Sequence, residues 1–245
     1  MLPIPSSANR ARRRKASDPA PQLTKQTIID VALEIIDRDG IEQFSMRSLA
    51  KALGVYPTSI YWHIPNRNAL IGEIVGAALK DLAPKDVASD WKESLRRMFR
   101  SFRARIREHP GIAPVIGVQL ASNASVDFDM IEGVLSALRT AGFADAALPD
   151  AYNSVIGAMA GFTTLEFSLV PADGHEEWSD GMRKTIQSVD RKSHPLTARL
   201  MPKLANKAFI LRWENGTTVP LDGAFELFVD VFLTGLERRS SRQPE

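Results

Sequence analysis

An all-α fold is predicted for this 245-residue chain on three observations. Apolar residues recur at spacings of three and four, as along the buried stripe of a helix. No segment alternates apolar and polar residues as a half-buried strand does. The predicted helices form a group of three short ones followed by longer ones, so a small N-terminal unit should precede a larger bundle.

The first helix begins after Leu23, with Thr24 suited to cap it and Gly40 at its end. Ile28, Val31, Ala32, Ile35 and Ile36 share one face. A second runs from its cap Ser45 through Met46, Leu49, Ala50 and Leu53 to Gly54. Pro57 suits the first position of a third helix, which has to stop near Ile64 because Pro65 disfavours helical geometry before it. Asn66 caps a fourth, whose apolar face (Leu70, Ile71, Ile74, Val75, Ala78, Leu79, Leu82) extends towards Pro84.

A fifth helix spans about 90–108 and places Trp91, Leu95, Met98, Phe99, Phe102 and Ile106 on one face. Arg96, Arg97, Arg100, Arg103 and Arg107 lie mostly opposite and are read as a solvated face. Two more follow, from Ser125 to Thr140 closed by Gly142, and from Pro149 to Val170. Residues 171–182 read as a polar loop, 183–208 carry weaker helical pattern, and Arg212 to Pro220 is a loop before a last helix from Asp222 to Arg239. The predicted division is a basic arm at 1–22, a three-helix unit at 23–70 with its fourth helix a connector to about 83, a bundle at 84–239 and a tail at 240–245.

Composition sets further bounds. With 44% hydrophobic and 24% charged residues the chain is of globular type. No apolar run approaches the roughly 18 residues that cross a bilayer, and no apolar signal segment follows the basic N-terminus. A cytoplasmic protein without membrane contact is expected. There is no cysteine, and the four histidines (63, 109, 175, 194) are scattered, so no metal and no cofactor is expected. Arg10, Arg12, Arg13, Arg14 and Lys15 lie among Pro, Ser and Ala and read as a flexible arm. It is either a solvated tail or a source of salt-dependent phosphate contacts.

Catalysis lacks its parts: no nucleophile with a base, no phosphate-cradling glycine loop, no carboxylate pair in a cleft. Asp127, Asp129 and Glu132 are acids near a helix start, where they complement the dipole. No enzyme is expected.

The second and third helices, joined by a tight turn at Gly54, form a helix-turn-helix with the first packed across both. Such a unit reads double-stranded DNA with its second helix in the major groove. Neighbouring helical residues project about 100° apart, so Tyr61, Trp62 and His63 cannot all face the core. Ile60 and part of Trp62 are expected to fill it, leaving Tyr61 and His63 outside as donors to phosphate oxygens. The small residues Thr58 and Ser59 let the backbone approach base edges. The alternative is a buried aromatic cluster holding the histidine.

The stretch LTKQTIIDVALEIIDRDGIEQFSMRSLAKALGVYPTSIYWHIPNRNALIGEIV resembles the DNA-binding domain of the TetR family of transcriptional repressors, in its tetracycline-repressor-like branch. DWKESLRRMFRSFRARIREH, LRTAGF and FELFVDVFLTGLERR are similar to the ligand-binding and dimerisation helices of that branch. The resemblance implies that Arg47 contacts a base and that Thr58, Ser59, Tyr61, Trp62 and His63 lie on the reading helix. It also implies phosphate contacts for Arg67 and Lys25. Tyr56 and Pro57 depart from the family pattern, so no operator sequence carries over.

The resemblance further implies a small-molecule effector that releases a pseudo-palindromic operator. Met98 and Ile116 stand where the branch holds its drug and its magnesium, which points away from a magnesium–tetracycline complex and towards an apolar or amphipathic molecule. The lining would be Met98, Phe102, Ile116, Gln119, Ile131, Val134, Phe162 and Glu166, each of which fits plain core as well. Glu166, on a nearly all-apolar helix, needs a partner if buried. A homodimer is expected, formed by Gly157 and Gly161 on one helix and Phe225, Phe228, Val229, Phe232 and Leu236 on the last. Those apolar residues would otherwise fill each monomer's own core.

Overall fold

A computed structural model describes residues 23–87, 89–122, 127–168, 170 and 174–241. The basic arm at 1–22, the tail beyond 241 and the predicted helix start at Ser125 lie outside them. Among the described residues every regular element is helical.

Local signals set the first four helices. α1 (Lys25–Asp39) is capped by the Thr24 hydroxyl, which accepts from the Thr27 amide, and Gly40 follows with positive φ. α2 (Met46–Leu53) opens with Ser45 and Ser48 satisfying each other's backbone amides and ends at Gly54, whose left-handed φ of +67° turns the chain. A side chain there would be strained. α3 (Pro57–Tyr61) is a little over one turn. α4 (Arg67–Ala78) is capped by Asn66 and ends earlier than its apolar pattern predicts. Leu82 is still buried, but Asp81 at φ +61° has already turned the chain.

The bundle begins with α5 (Trp91–Glu108), capped by Asp90. A 3-10 turn at Pro110–Val115 and α6 (Ile116–Ser122) follow, both unforeseen. α7 (Phe128–Thr140) starts at Asp127, and α8 (Leu148–Glu166) stops four residues before Val170. The predicted polar loop at 171–182 is corrected: α9 (His175–Gln187) starts inside it, opened by Gly174 and carrying Glu176 and Glu177 in its first turn. Acids there complement the exposed amides of a helix start. Trp178, Met182 and Ile186 supply its i, i+4 stripe. α10 (Pro195–Leu204) and α11 (Asp222–Ser240) complete the chain.

One continuous core joins α1–α8 to α11, and no residue of α9 or α10 belongs to it. α1 meets the 3-10 turn directly, and α4 meets α6. At the first joint a Cβ on Gly111 would sit 2.4 Å from the Ile36 carbonyl oxygen, so only glycine permits the approach. His109 Nδ1 and Asp37 Oδ2, 2.7 Å apart, bridge the same joint.

Candidate DNA-reading surface and bundle core

The helix-turn-helix is built by burying one side of α3 and leaving the other bare. Ile60 and Ile64, one turn apart, are buried in the core beneath α1 and α2. Trp62 does not share that role as expected from the sequence: it is 89% exposed. The helix ends at Tyr61, and the following turn, closed by the His63 and Ile64 amides donating to the Ile60 carbonyl, gives the core position to Ile64.

Tyr56 is 79% and Tyr61 47% exposed. Thr58 and His63 are also exposed, Ser59 half-buried, and Arg47 projects from the first turn of α2 into solvent. All of these residues belong to the helix-turn-helix formed by α2, the Gly54 turn and α3 with the turn that follows it. Burying so much aromatic area would stabilise any fold by about 25 cal/mol per Å², yet the chain leaves it in water.

Two expected phosphate contacts are engaged elsewhere. Arg67 donates through Nη2 to the Ile41 carbonyl at 2.9 Å and through Nε to the Phe44 carbonyl at 3.3 Å, with its guanidinium 5.9 Å over the Phe44 ring. It braces the α1–α2 turn, whose carbonyls have no helical partner. Lys25 Nζ lies 2.7 Å from Glu73 Oε1, in an exposed pair that a phosphate can replace at little cost.

In the bundle, the predicted solvated face of α5 is corrected to an ionic seam. Arg96 pairs with Asp230, Arg100 with Glu226, Arg103 and Arg107 with Asp222, and Lys92 with Glu237. The numbers run in opposite directions, so α5 and α11 are antiparallel. Hydrogen bonds from Arg107 and Arg103 hold the Asp222 carboxyl below the usual carboxylate range, and those from Arg100 do the same to Glu226.

Glu166 has the partner that its burial requires. Arg103 donates to it from Nε at 2.7 Å and Nη2 at 2.6 Å, and the Leu221 amide adds a third bond at 2.9 Å. Burial acts most strongly on Arg103 and pulls its pKa down, but the hydrogen bonds from Glu166 and Asp222 outweigh it and the net shift is upward. The guanidinium also lies 4.6 Å over the Phe225 ring. Arg212 is the converse case: burial pulls its pKa down, its bonds go to the Glu214 and Val219 carbonyls, and Nη1 has no partner.

The expected effector lining is mostly closed core. Met98, Phe102, Ile116 and Val134 are buried and packed together, while Gln119 and Ile131 are half-buried. Phe162 packs against Phe209, Phe225 and Phe228.

The expected dimer residues divide. Phe225, Val229 and Leu236 belong to the chain's own core, and the half-buried Phe228 and Phe232 pack on Phe99. Gly157 and Gly161 instead face open space. The exposed apolar residues nearby are Leu165 at 55% on α8, and Leu227 at 65% and Val231 at 64% on α11. The sequence reading did not single out these three.

Comparison with known proteins decides the family. Residues 28–74 match the family described as bacterial regulatory proteins, tetR family, and residues 83–239 match tetracyclin repressor-like, C-terminal domain. The chain belongs to the TetR family.

Within the TetR family it is similar to the tetracycline repressor protein class C of Escherichia coli, at 27% identity over 89% of this chain and 92% of the relative. An HTH-type transcriptional regulator of Saccharopolyspora erythraea is 28% identical over 63% of this chain, which spans 66% of that relative's length. A crystal structure of BioQ with its double-stranded DNA operator is 30% identical, covers 64% of this chain and 93% of its own, and superposes with a TM-score of 0.54. Among the described residues no helix is long and apolar enough to cross a membrane.

Proposed function

We propose that the chain is a cytoplasmic, homodimeric transcriptional repressor that grips duplex DNA with α3 in the major groove and is released by a small apolar or amphipathic effector. The carrying observation is the bare side of α3: Tyr56, Tyr61 and Trp62 stand in solvent although a core lies directly beneath them. The likeness to BioQ, whose structure contains operator DNA, supports the same use of this surface.

Arg47, Thr58, Ser59, Tyr61, Trp62 and His63 form the contact set, with Lys25 at its edge. Arg67 serves by holding the turn beneath it. The reading unit is 23–70, and 84–239 forms the regulatory bundle.

One short helix contacts too few base pairs for specificity, so two copies are required. The outward stripes of α8 (Gly157, Gly161, Leu165) and α11 (Leu227, Val231) form the dimer face. Added Cβ atoms at the two glycines meet nothing in their own chain, which leaves a partner helix as the use for their small size.

An effector placed among Met98, Phe102, Ile116 and Val134 has to open the core between α5, α6 and α7. Displacement there reaches the reading unit through α6 against α4 and through Gly111 against Ile36. DNA affinity then falls by the effector's differential affinity for the open and closed bundle.

Selection of bound fragments from random duplex DNA tests the reading. The expected product is an inverted repeat with half-sites about 34–36 Å apart or a multiple of that. Recovery of unrelated sequences without symmetry would overturn it.

A further inference from the structure

α9 and α10 enclose a groove of about 420 Å³ that is remote in sequence from every residue assigned above. Ile186, Val189, Met201 and the Trp213 indole supply most of its apolar lining. Its volume is in the range that holds small organic ligands, and its mixture of an apolar lining with few polar groups is typical of such sites.

Its charge is one-sided. Arg183 and Arg191 line it, and no acid does. Residues 183–207 carry seven of the chain's basic residues and one acid, Asp190, whereas the whole chain is only +2. Asp190 is already satisfied, accepting from the Ser193 hydroxyl and from the Lys192 and Ser193 amides.

The Arg183 guanidinium is 5.2 Å from the centre of the Trp213 ring. Through Nη1 it forms an ion pair with Asp180 at 2.9 Å outside the groove lining, which uses one of the five N–H donors of the group. Arg191 has no ion-pair partner among the described residues. An arginine fixed against an indole beside an apolar wall offers an acid group a charge-assisted bond and offers a planar ring a stacking surface.

We infer that this groove binds a small anionic aromatic molecule, with its acid group on Arg183 and Arg191 and its ring between Trp213 and Met201. The site is built from this chain alone and holds whether or not the chain reads DNA. A neutral ligand of the same shape gains the stacking but not the ion pair. A long flexible anion gains the ion pair but not the stacking.

The test uses the full chain without DNA. 2-Naphthoate and its uncharged counterpart 2-naphthamide are titrated by calorimetry and by quenching of tryptophan emission. Naphthoate is expected to bind at least tenfold more tightly than naphthamide. R183Q combined with R191Q should erase that preference while leaving naphthamide unchanged. M201W, which fills the groove, should abolish binding of both. Since Arg183 and Arg191 are exposed, the arginine variant should keep the wild-type unfolding midpoint, so it decides the matter even if M201W misfolds.

Equal affinity for the two compounds, no binding of either, or naphthoate binding untouched by the arginine changes would overturn the proposal. Naphthoate binding with no operator recovered from random DNA would sink the repressor reading and leave this site standing.

Discussion

In the reading unit the aromatic side chains Tyr56, Tyr61 and Trp62 are set in water, while in the bundle the paired charges of Arg103 and Glu166 are buried, with Arg103 over the Phe225 ring. Each region places residues against their solvation preference, and each placement has its own physical reason. The exposed aromatics are kept available for a surface the chain does not itself supply. The buried charges lock α5, α8 and the start of α11 into one arrangement, because each is satisfied only by the others. A DNA-reading protein of this kind needs both, a reading face that is open and a bundle held in a definite arrangement.

The largest effect should come from breaking the sealed pair. Glu166→Ala leaves Arg103 charged and partly unsatisfied inside the core, and should cost about 3–5 kcal/mol, measured by urea unfolding. Replacing both partners, Arg103→Met with Glu166→Leu, should recover most of that loss. A loss below about 1 kcal/mol in the single variant would mean that the pair behaves like a surface one.

Next comes the outward stripe. Val231→Glu places like charges against each other across a two-fold interface, where juxtaposition costs several kcal/mol. Sedimentation should show monomers with a nearly unchanged unfolding midpoint, since this side chain is outside its own core. Persistence of the dimer would move the interface elsewhere.

In the reading unit the expected loss is smaller. Ser45→Ala removes the cap of α2 and should cost about 1 kcal/mol, seen as a lower unfolding midpoint with little change in DNA contacts. No change would show that the Ser48 bond alone holds the helix start.

The smallest effect separates the regions by pH. Asp222 and Glu226 are both held below the ordinary carboxylate range, so their contribution is present at neutral pH and is lost as pH falls through the folded values. Between pH 7 and 5 the α5–α11 seam should be insensitive, and below about pH 4, where free carboxylates protonate, it should weaken. Hydrogen exchange of α11 against α2 would show this as loss of protection in α11 alone.

Legibility from sequence followed the same division. In the reading unit Thr24, Ser45, Gly54, Pro57 and Asn66 act within a turn or two of themselves, and the predicted starts of the first four helices were right. Trp62 was misplaced because the short helix ends before it and Ile64 takes the core position.

In the bundle the decisive contacts join residues that are far apart in the chain. The arginines of α5 looked solvated until α11 supplied acids in the reverse order. Basic residues at 92, 96, 100, 103 and 107 face acids at 237, 230, 226 and 222 in reverse order, and that opposed run of charges was the available signal. α9 was missed because its start is polar, although Glu176 and Glu177 suit a helix N-terminus. The effector lining came from the family likeness; Met98, Phe102, Ile116 and Val134 of it are buried in the core, while Gln119, Ile131 and Phe162 are half-buried.

The central claim is that the bare side of α3 enters duplex DNA, and it is tested most directly by affinity for the selected duplex across a salt series. Wild-type protein should lose affinity linearly in log salt, as released counterions require. Arg47→Ala and Trp62→Ala should each bind more weakly, the former by about 1–3 kcal/mol, with unfolding midpoints unchanged. Wild-type affinity in both variants would contradict the account.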